Sequence, residues 1–193
     1  MEEWITWIPG LMLGVALSAG SGFRVFIPLL VSNLAARFGL VSVSDDFGWM
    51  ISNTATFVLI VASIVEIASY YIAFIDNLLD SIALPASVVA GTLLTTQFLK
   101  INDPTLQWGL GILAGGGVAG TIQAGTSLIR LGSTKFTGGI GNSFFSTFEN
   151  ILAVGISIVS IWIPLIMGVL AILLVFWMLK KLFSSKPKKP ILQ

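Results

Sequence analysis

The residues able to do chemistry are few and stand apart from one another. Arg24, Glu66, Arg130 and Glu149 lie within or close to long apolar runs, and Asp76-Asn77-Leu78-Leu79-Asp80 sits between two of those runs. A charged side chain at mid-bilayer costs about 2.5–3.5 kcal/mol on insertion scales, so each is expected to face a partner or a wet cavity. Glu66 falls roughly 13 Å from the nearer end of its apolar segment, and Glu149 roughly 9 Å from the same side, at about 1.5 Å per residue. On neighbouring helices the two carboxylates would occupy nearly one layer. Close carboxylates resist joint ionisation, which makes a proton or cation site. The alternative is that Arg24 or Arg130 locks each acid into a structural ion pair.

Asp76 and Asp80, at i and i+4, share one helical face, and Asn77 adds a carbonyl oxygen. The trio can hold a cation such as sodium or magnesium on oxygen ligands. It loosely inverts the Asn-Asp-x-x-Asp of intramembrane prenyltransferases, but the chain has no second Asp-rich motif. A solvated turn with one Asp capping a helix is the plainer alternative. Upstream, Ser18-Ala19-Gly20-Ser21-Gly22-Phe23-Arg24 predicts a helix break. Broken-helix N–H groups beside Arg24 would suit an anionic group, as in transporters; a kink with Arg24 paired to an acid is the alternative. Farther on, Gly111–Gly115 and Gly116–Gly120 are small-xxx-small pairs suited to close helix packing. Packing does not account for Gln123, Ser127 and Arg130, which recur at i, i+4 and i+7 on one helix face with Thr126 beside them. The stretch Thr137-Gly138-Gly139-Ile140-Gly141-Asn142 is expected to be non-helical backbone that re-enters near Glu149-Asn150 and lines water.

The elements holding these residues must be membrane helices. The chain has 193 residues, of which 55% are hydrophobic and 10% charged, with a mean hydropathy of +0.97 and a net charge of +1. A soluble domain needs about a quarter of its residues charged, so the solvent is lipid. The absence of Cys excludes disulfides and thiolate chemistry, and the absence of His removes the commonest metal ligand and proton shuttle. The small net charge gives no nucleic-acid signature. Runs such as Phe57–Ala62 and Val169–Val175 are continuous rather than alternating, which means helices and not barrel strands.

Uncharged stretches separate Glu3 from Arg24, Asp46 from Glu66, Asp80 from Lys100, Asp103 from Arg130, and Glu149 from Lys180. The map is one or two segments over 4–39, then 50–75, 79–99, 106–131, 143–161 and 164–182. The last two are joined by a turn around Trp162–Pro164. The expected architecture is an all-α polytopic transmembrane bundle of about six or seven spans, with broken or re-entrant Gly-rich helices. Residues 1–183 form one domain and 184–193 a basic tail. Acidic Glu2 and Glu3 stand where a signal peptide is basic, so the first segment reads as a structural helix. Lys180, Lys181, Lys186, Lys188 and Lys189 place the C-terminus in the cytoplasm. Leu11–Gly20 and Gly111–Gly120 share an apolar run ending in Ala-Gly, a weak internal repeat of the inverted kind found in transporters.

Several blocks are similar to a known family. These are Gly22-Phe23-Arg24-Val25-Phe26-x-Pro28, Glu66-x-x-x-Tyr70-Tyr71-Ile72, Asp76-Asn77-Leu78-Leu79-Asp80, Ala114-Gly115-Gly116-Gly117 with Gln123-x-Gly125-Thr126, and Thr137-Gly138-Gly139-x-Gly141-Asn142 with Glu149-Asn150. Together they resemble domain of unknown function 4126 over roughly residues 10–180. The resemblance implies a small polytopic membrane protein and marks the same polar positions; it implies no substrate. The expected function is a small transporter or permease of the bacterial cytoplasmic membrane, coupled to a proton or cation. Its candidate binding residues are Arg24, Glu66, Asp76, Asn77, Asp80, Gln123, Thr126, Ser127, Arg130, Asn142, Glu149 and Asn150. The alternatives are an ion channel, a membrane scaffold or assembly protein and, last, a metal-dependent lipid-diphosphate enzyme. The expected partners are the bilayer and a small ion or anionic solute, with no nucleic acid. No cofactor is expected beyond a bound cation, and the glycine faces are compatible with a homo-oligomer.

Overall fold

Every position from 13 to 22 is buried, whichever face of the helix it occupies. A helix buried all round sits at the centre of its bundle. A computed structural model describes the backbone of residues 3–71, 73–137 and 140–184, and the side chains of 7–71, 79, 82–133 and 144–181. In chain order the helices are α1 (Glu3–Ser21), α2 (Phe26–Arg37), a 3₁₀ segment (Asp45–Ile51), α3 (Asn53–Ser69), α4 (Ala73–Thr96), α5 (Pro104–Leu110), a π-helical turn (Gly111–Gly116), α6 (Gly117–Thr137), α7 (Ile140–Trp162) and α8 (Pro164–Ser184). α1 packs against α2, α4, α6, α7 and α8.

Local chemistry sets several of the boundaries. Ser52 caps α3 by accepting from the Ala55 N–H at 3.1 Å. Asp103 caps α5 through Thr105 N–H at 2.8 Å, with Pro104 in the first helical position. α2 ends where Gly39 takes φ +71°, a left-handed conformation that lets the Leu40 N–H reach back to Ala35 O at 2.9 Å. Pro164 opens α8 after the break at Ile163, close to the expected turn.

Glycine brings three backbones together. Down α1, Gly10, Gly14 and Ser18 meet Phe98, Thr95 and Gly91 in turn. Beside it, Gly111, Gly115 and Gly120 meet Thr96, Gly91 and Val88. A Cβ on Gly14 would fall 2.5 Å from the Thr95 Cα, closer than real contacts allow. The Ser18 hydroxyl lies 2.8 Å from Gly91 O and 3.0 Å from Thr95 Oγ1, so the polar groups of the seam satisfy one another. Both runs descend α4 in the same direction. The two similar stretches are therefore parallel in space and not an inverted pair; they are alike because both clamp one face of α4.

α2 returns toward the end of the bundle where α1 begins. Ser32 of α2 meets Gln97 Nε2 at 3.0 Å, and Gly10 of α1 packs on the adjacent Phe98. Residues 4–39 are thus a helical hairpin with its break at 22–25. Two other expectations change. The segment expected to start at 79 begins at Ala73, so Asp76–Asp80 lie on a helix, as their i, i+4 spacing requires, and not in the alternative solvated turn; no Gly or Pro interrupts the stretch, and acidic residues favour a first helical turn. The stretch expected to be non-helical at 137–142 is helical at Thr137 and from Ile140 onward, while Gly138 and Gly139 lie outside the described residues.

Among the described residues, Pro104–Ser133, Phe144–Trp162 and Pro164–Lys181 are long and apolar enough to cross a membrane. A fourth span results if the 3₁₀ segment and α3, bent by 59°, count as one. Trp7–Ser21, Phe26–Arg37 and Ile82–Thr96 are shorter apolar helices. The outer faces of α3 and α8 expose Val58, Ile64, Ile166, Leu173 and Phe176, a surface that suits acyl chains and not water. The chain is an all-helical integral membrane protein.

Candidate functional site

The break between α1 and α2 gathers the buried charges. α1 ends through Gly22 N–H to Ser18 O and Arg24 N–H to Gly20 O, each at 3.1 Å. A Cβ on Gly22 would come within 2.6 Å of Ile122 Cβ and 2.8 Å of Ala119 O, so glycine is what lets the break lie against α6. At the start of α2 the N–H groups of Val25 and Phe26 point outward. Glu66 of α3 accepts both, Val25 N–H on Oε1 at 2.7 Å and Phe26 N–H on Oε2 at 3.0 Å. A carboxylate on orphan helix N–H groups is a charge-assisted cap.

Among the described residues Arg24 is the largest fully buried side chain, with 1% of its surface exposed. Its Nε donates to Asn150 Oδ1 at 2.5 Å and its Nη2 to Ser146 O at 3.0 Å. Its Nη1 lies 3.1 Å from Glu149 Oε2. Arg130 of α6 reaches the same oxygen through Nε at 3.8 Å and donates to Ser146 Oγ at 2.8 Å. Both guanidinium groups lie against the Tyr70 ring, Arg24 Cζ at 3.7 Å and Arg130 Cζ at 4.6 Å from its centroid. An aromatic face stabilises cations by up to about 2 kcal/mol when water is excluded, which offsets part of the repulsion between the arginines. Next to it, Tyr71 OH and Thr147 Oγ1 lie 3.0 Å apart.

The structure therefore brings together Arg24, Glu66, Arg130, Glu149 and Asn150, from the break and from α3, α6 and α7. It assigns the two acids differently from a carboxylate pair: Glu66 holds the N-terminus of α2, and Glu149 holds two arginines. Gln123 and Ser127 share their expected face, with Nε2 to Oγ at 3.3 Å. Thr126 turns its hydroxyl to Gln123 O at 3.0 Å, a bond within its own helix. The side chains of Asp76, Asn77, Asp80 and Asn142 lie outside the described residues. Among the described ones no group of three or more metal-ligating side chains forms. Tyr70 and Ser146 were not among the expected site residues. Their spacing carried a signal: Tyr70 is four residues after Glu66 and Ser146 three before Glu149, each on the same helical face as its acid.

One recess borders this network, and a second lies at the opposite end of the bundle. The first, of about 430 Å³, lies between α3, α4 and the start of α2, with almost wholly apolar walls and with Glu66, Ser69 and Tyr70 at one end. The other, of about 390 Å³, is polar and is lined by Ser44, Asp45, Asp46, Lys100 and Gln107 beyond the far end of α4. Gln107, Gln97 with Ser32, and Ser18 with Thr95 form a series of buried polar groups from that second recess into the bundle. The Ser21 hydroxyl follows, without a hydrogen-bond partner among the described residues.

No curated protein and no solved structure matches the chain. A family match does exist, described as domain of unknown function 4126, and it spans residues 11–183. That range takes in the break, both arginines, both acids and the helices that carry them, and the chain belongs to this family.

Proposed function

We propose that the protein is a small transporter or permease of the cytoplasmic membrane, coupled to a proton or cation, with the break at 22–25 as its moving part. One observation carries the reading. Arg24, Glu66, Arg130 and Glu149 converge from four elements on a helix break inside an apolar bundle. A purely structural core gains little from such a cluster, since apolar side chains of similar volume are commonly as stabilising. Ionisable residues within membrane helices mark solute paths and relays. In this reading the α1–α2 hairpin crosses twice and α3, α4, the α5–α6 rod, α7 and α8 once each, seven crossings, with the C-terminal tail in the cytoplasm. The polar recess at Asp45, Asp46 and Gln107 serves as the outer vestibule, and Glu66 and Glu149 exchange partners as a coupling ion or small anionic solute passes.

Reconstitution into proteoliposomes under an imposed proton gradient tests this, first alone and then with small carboxylates and phosphates inside. Protein-dependent dissipation of the gradient, abolished by Glu66→Gln and by Glu149→Gln, is the expected result. Flux in both variants equal to wild type removes the coupling role. A packing scaffold for other membrane helices is the second reading; because the glycine seam of α1, α4 and the π turn is taken up inside the bundle, it would use the apolar outer faces of α3 and α8. A scaffold keeps its partners when the buried charges are neutralised in matched pairs, whereas a transporter loses flux.

A further inference from the structure

The recess between α3 and α4 has a direction. Along α3 its lining runs from Phe57, Val58 and Val61 to Glu66, Ser69 and Tyr70, so one end is hydrocarbon and only the other is polar. Its rim is made of residues that face outward from the bundle, among them Phe57, Val58, Val65 and Ile82. It therefore opens sideways into the bilayer. Phe57 to Tyr70 is a length of roughly 20 Å at about 1.5 Å per residue. Spread over that length, a volume of about 430 Å³ gives a mean cross-section of roughly 20 Å², against roughly 80 Å² for a helix about 10 Å across. A helix of a second copy is too thick to enter. One extended hydrocarbon chain is not.

We propose that this recess is a binding site for one acyl chain of a bilayer phospholipid, inserted laterally with its headgroup end toward Ser69 and Tyr70. Val25 and Phe26 wall the recess with their side chains while their N–H groups donate to Glu66. A bound chain thus keeps water from the clasp that closes the α1–α2 break. The site goes beyond the transport reading, because binding is measured without flux and does not depend on the outcome with Glu66→Gln.

The test uses the full chain in vesicles of phosphatidylethanolamine and phosphatidylglycerol, with a small fraction of phosphatidylglycerol carrying a diazirine at mid-chain. Irradiation and peptide mapping are expected to place more label on 57–70 and 79–86 than on the lipid-facing side of α8. Ala62→Trp and Ala86→Phe, which fill the recess from opposite walls, are each expected to lower that label on the order of tenfold. Leu173→Trp on α8 is expected to leave it unchanged. Label on the recess no greater than on α8, or unaffected by both filling variants, overturns the proposal. The chain contains no cysteine, so Val61→Cys offers a clean counter-test. Disulfide-linked pairs of chains formed at that position would put a second copy over the opening and likewise overturn it.

Discussion

The two ends of α1 are held by opposite means. Over Gly10–Ser18 the helix meets α4 backbone to backbone, with glycines providing the closeness and hydroxyls settling the polar groups. Past Gly20 the same chain stops, and charge does the holding: Arg24 to Glu149 and Asn150, and the first N–H groups of α2 to Glu66. The first arrangement fails when an atom is added. The second fails when a charge is removed. A bundle in lipid has no hydrophobic driving force to press its helices together, so shape and charge divide the work.

Breaking the charged end should have the largest effect. Arg24→Leu strips Glu149 of its nearer cation and takes the guanidinium from Asn150 Oδ1 and the Ser146 carbonyl; removing one partner of a buried pair costs about 3–5 kcal/mol. The expected outcome is a sharply lower melting midpoint in detergent, or no folded protein. Gly115→Ala attacks the glycine seam from the π turn, driving a Cβ into Gly91 O and Thr95, the groups that Ser18 of α1 also meets. Overpacking of this kind costs about 1–3 kcal/mol, read in the same melting assay. A smaller effect is expected for Glu66→Gln, which keeps one acceptor for the N-terminus of α2 and loses the charge, for about 1 kcal/mol. Hydrogen exchange at Val25 and Phe26 should rise while the seam stays protected. Gly117→Ala is the smallest, since nothing lies within 4 Å of the added atom. It should be neutral or stabilise by a few tenths of a kcal/mol, because alanine is the better helix former. A large loss there would mean that glycine serves something other than packing on α4.

The bilayer setting and the break were legible because they depend on residue type alone. Charges are sparse enough to punctuate the spans, and the two serines and two glycines of 18–22 disfavour an unbroken helix. The row Gln123, Ser127 and Arg130 was legible from its period. The partners of these residues were not legible. Nothing in the spacing of Glu66 says that it caps a helix forty residues upstream, because that contact follows from α2 folding back beside α1. Tyr70 passes as one more membrane aromatic until two guanidinium groups are seen against its ring. The helical spacing of Asp76 and Asp80 was legible, but the start of α4 at Ala73 was not, because short acidic stretches suit turns and first helical turns equally.

One consequence of the π-helical turn reaches far from it. Gly111–Gly116 takes up more residues per turn than the α-helices on either side, which sets the angular phase of everything that follows on the same rod. Deleting one residue there would swing α6 by about 100° relative to α5 and its Asp103 cap. Arg130 would then be carried away from Glu149 and toward lipid. The alignment of the charges is thus dialled in by a glycine-rich stretch at the opposite end of the rod.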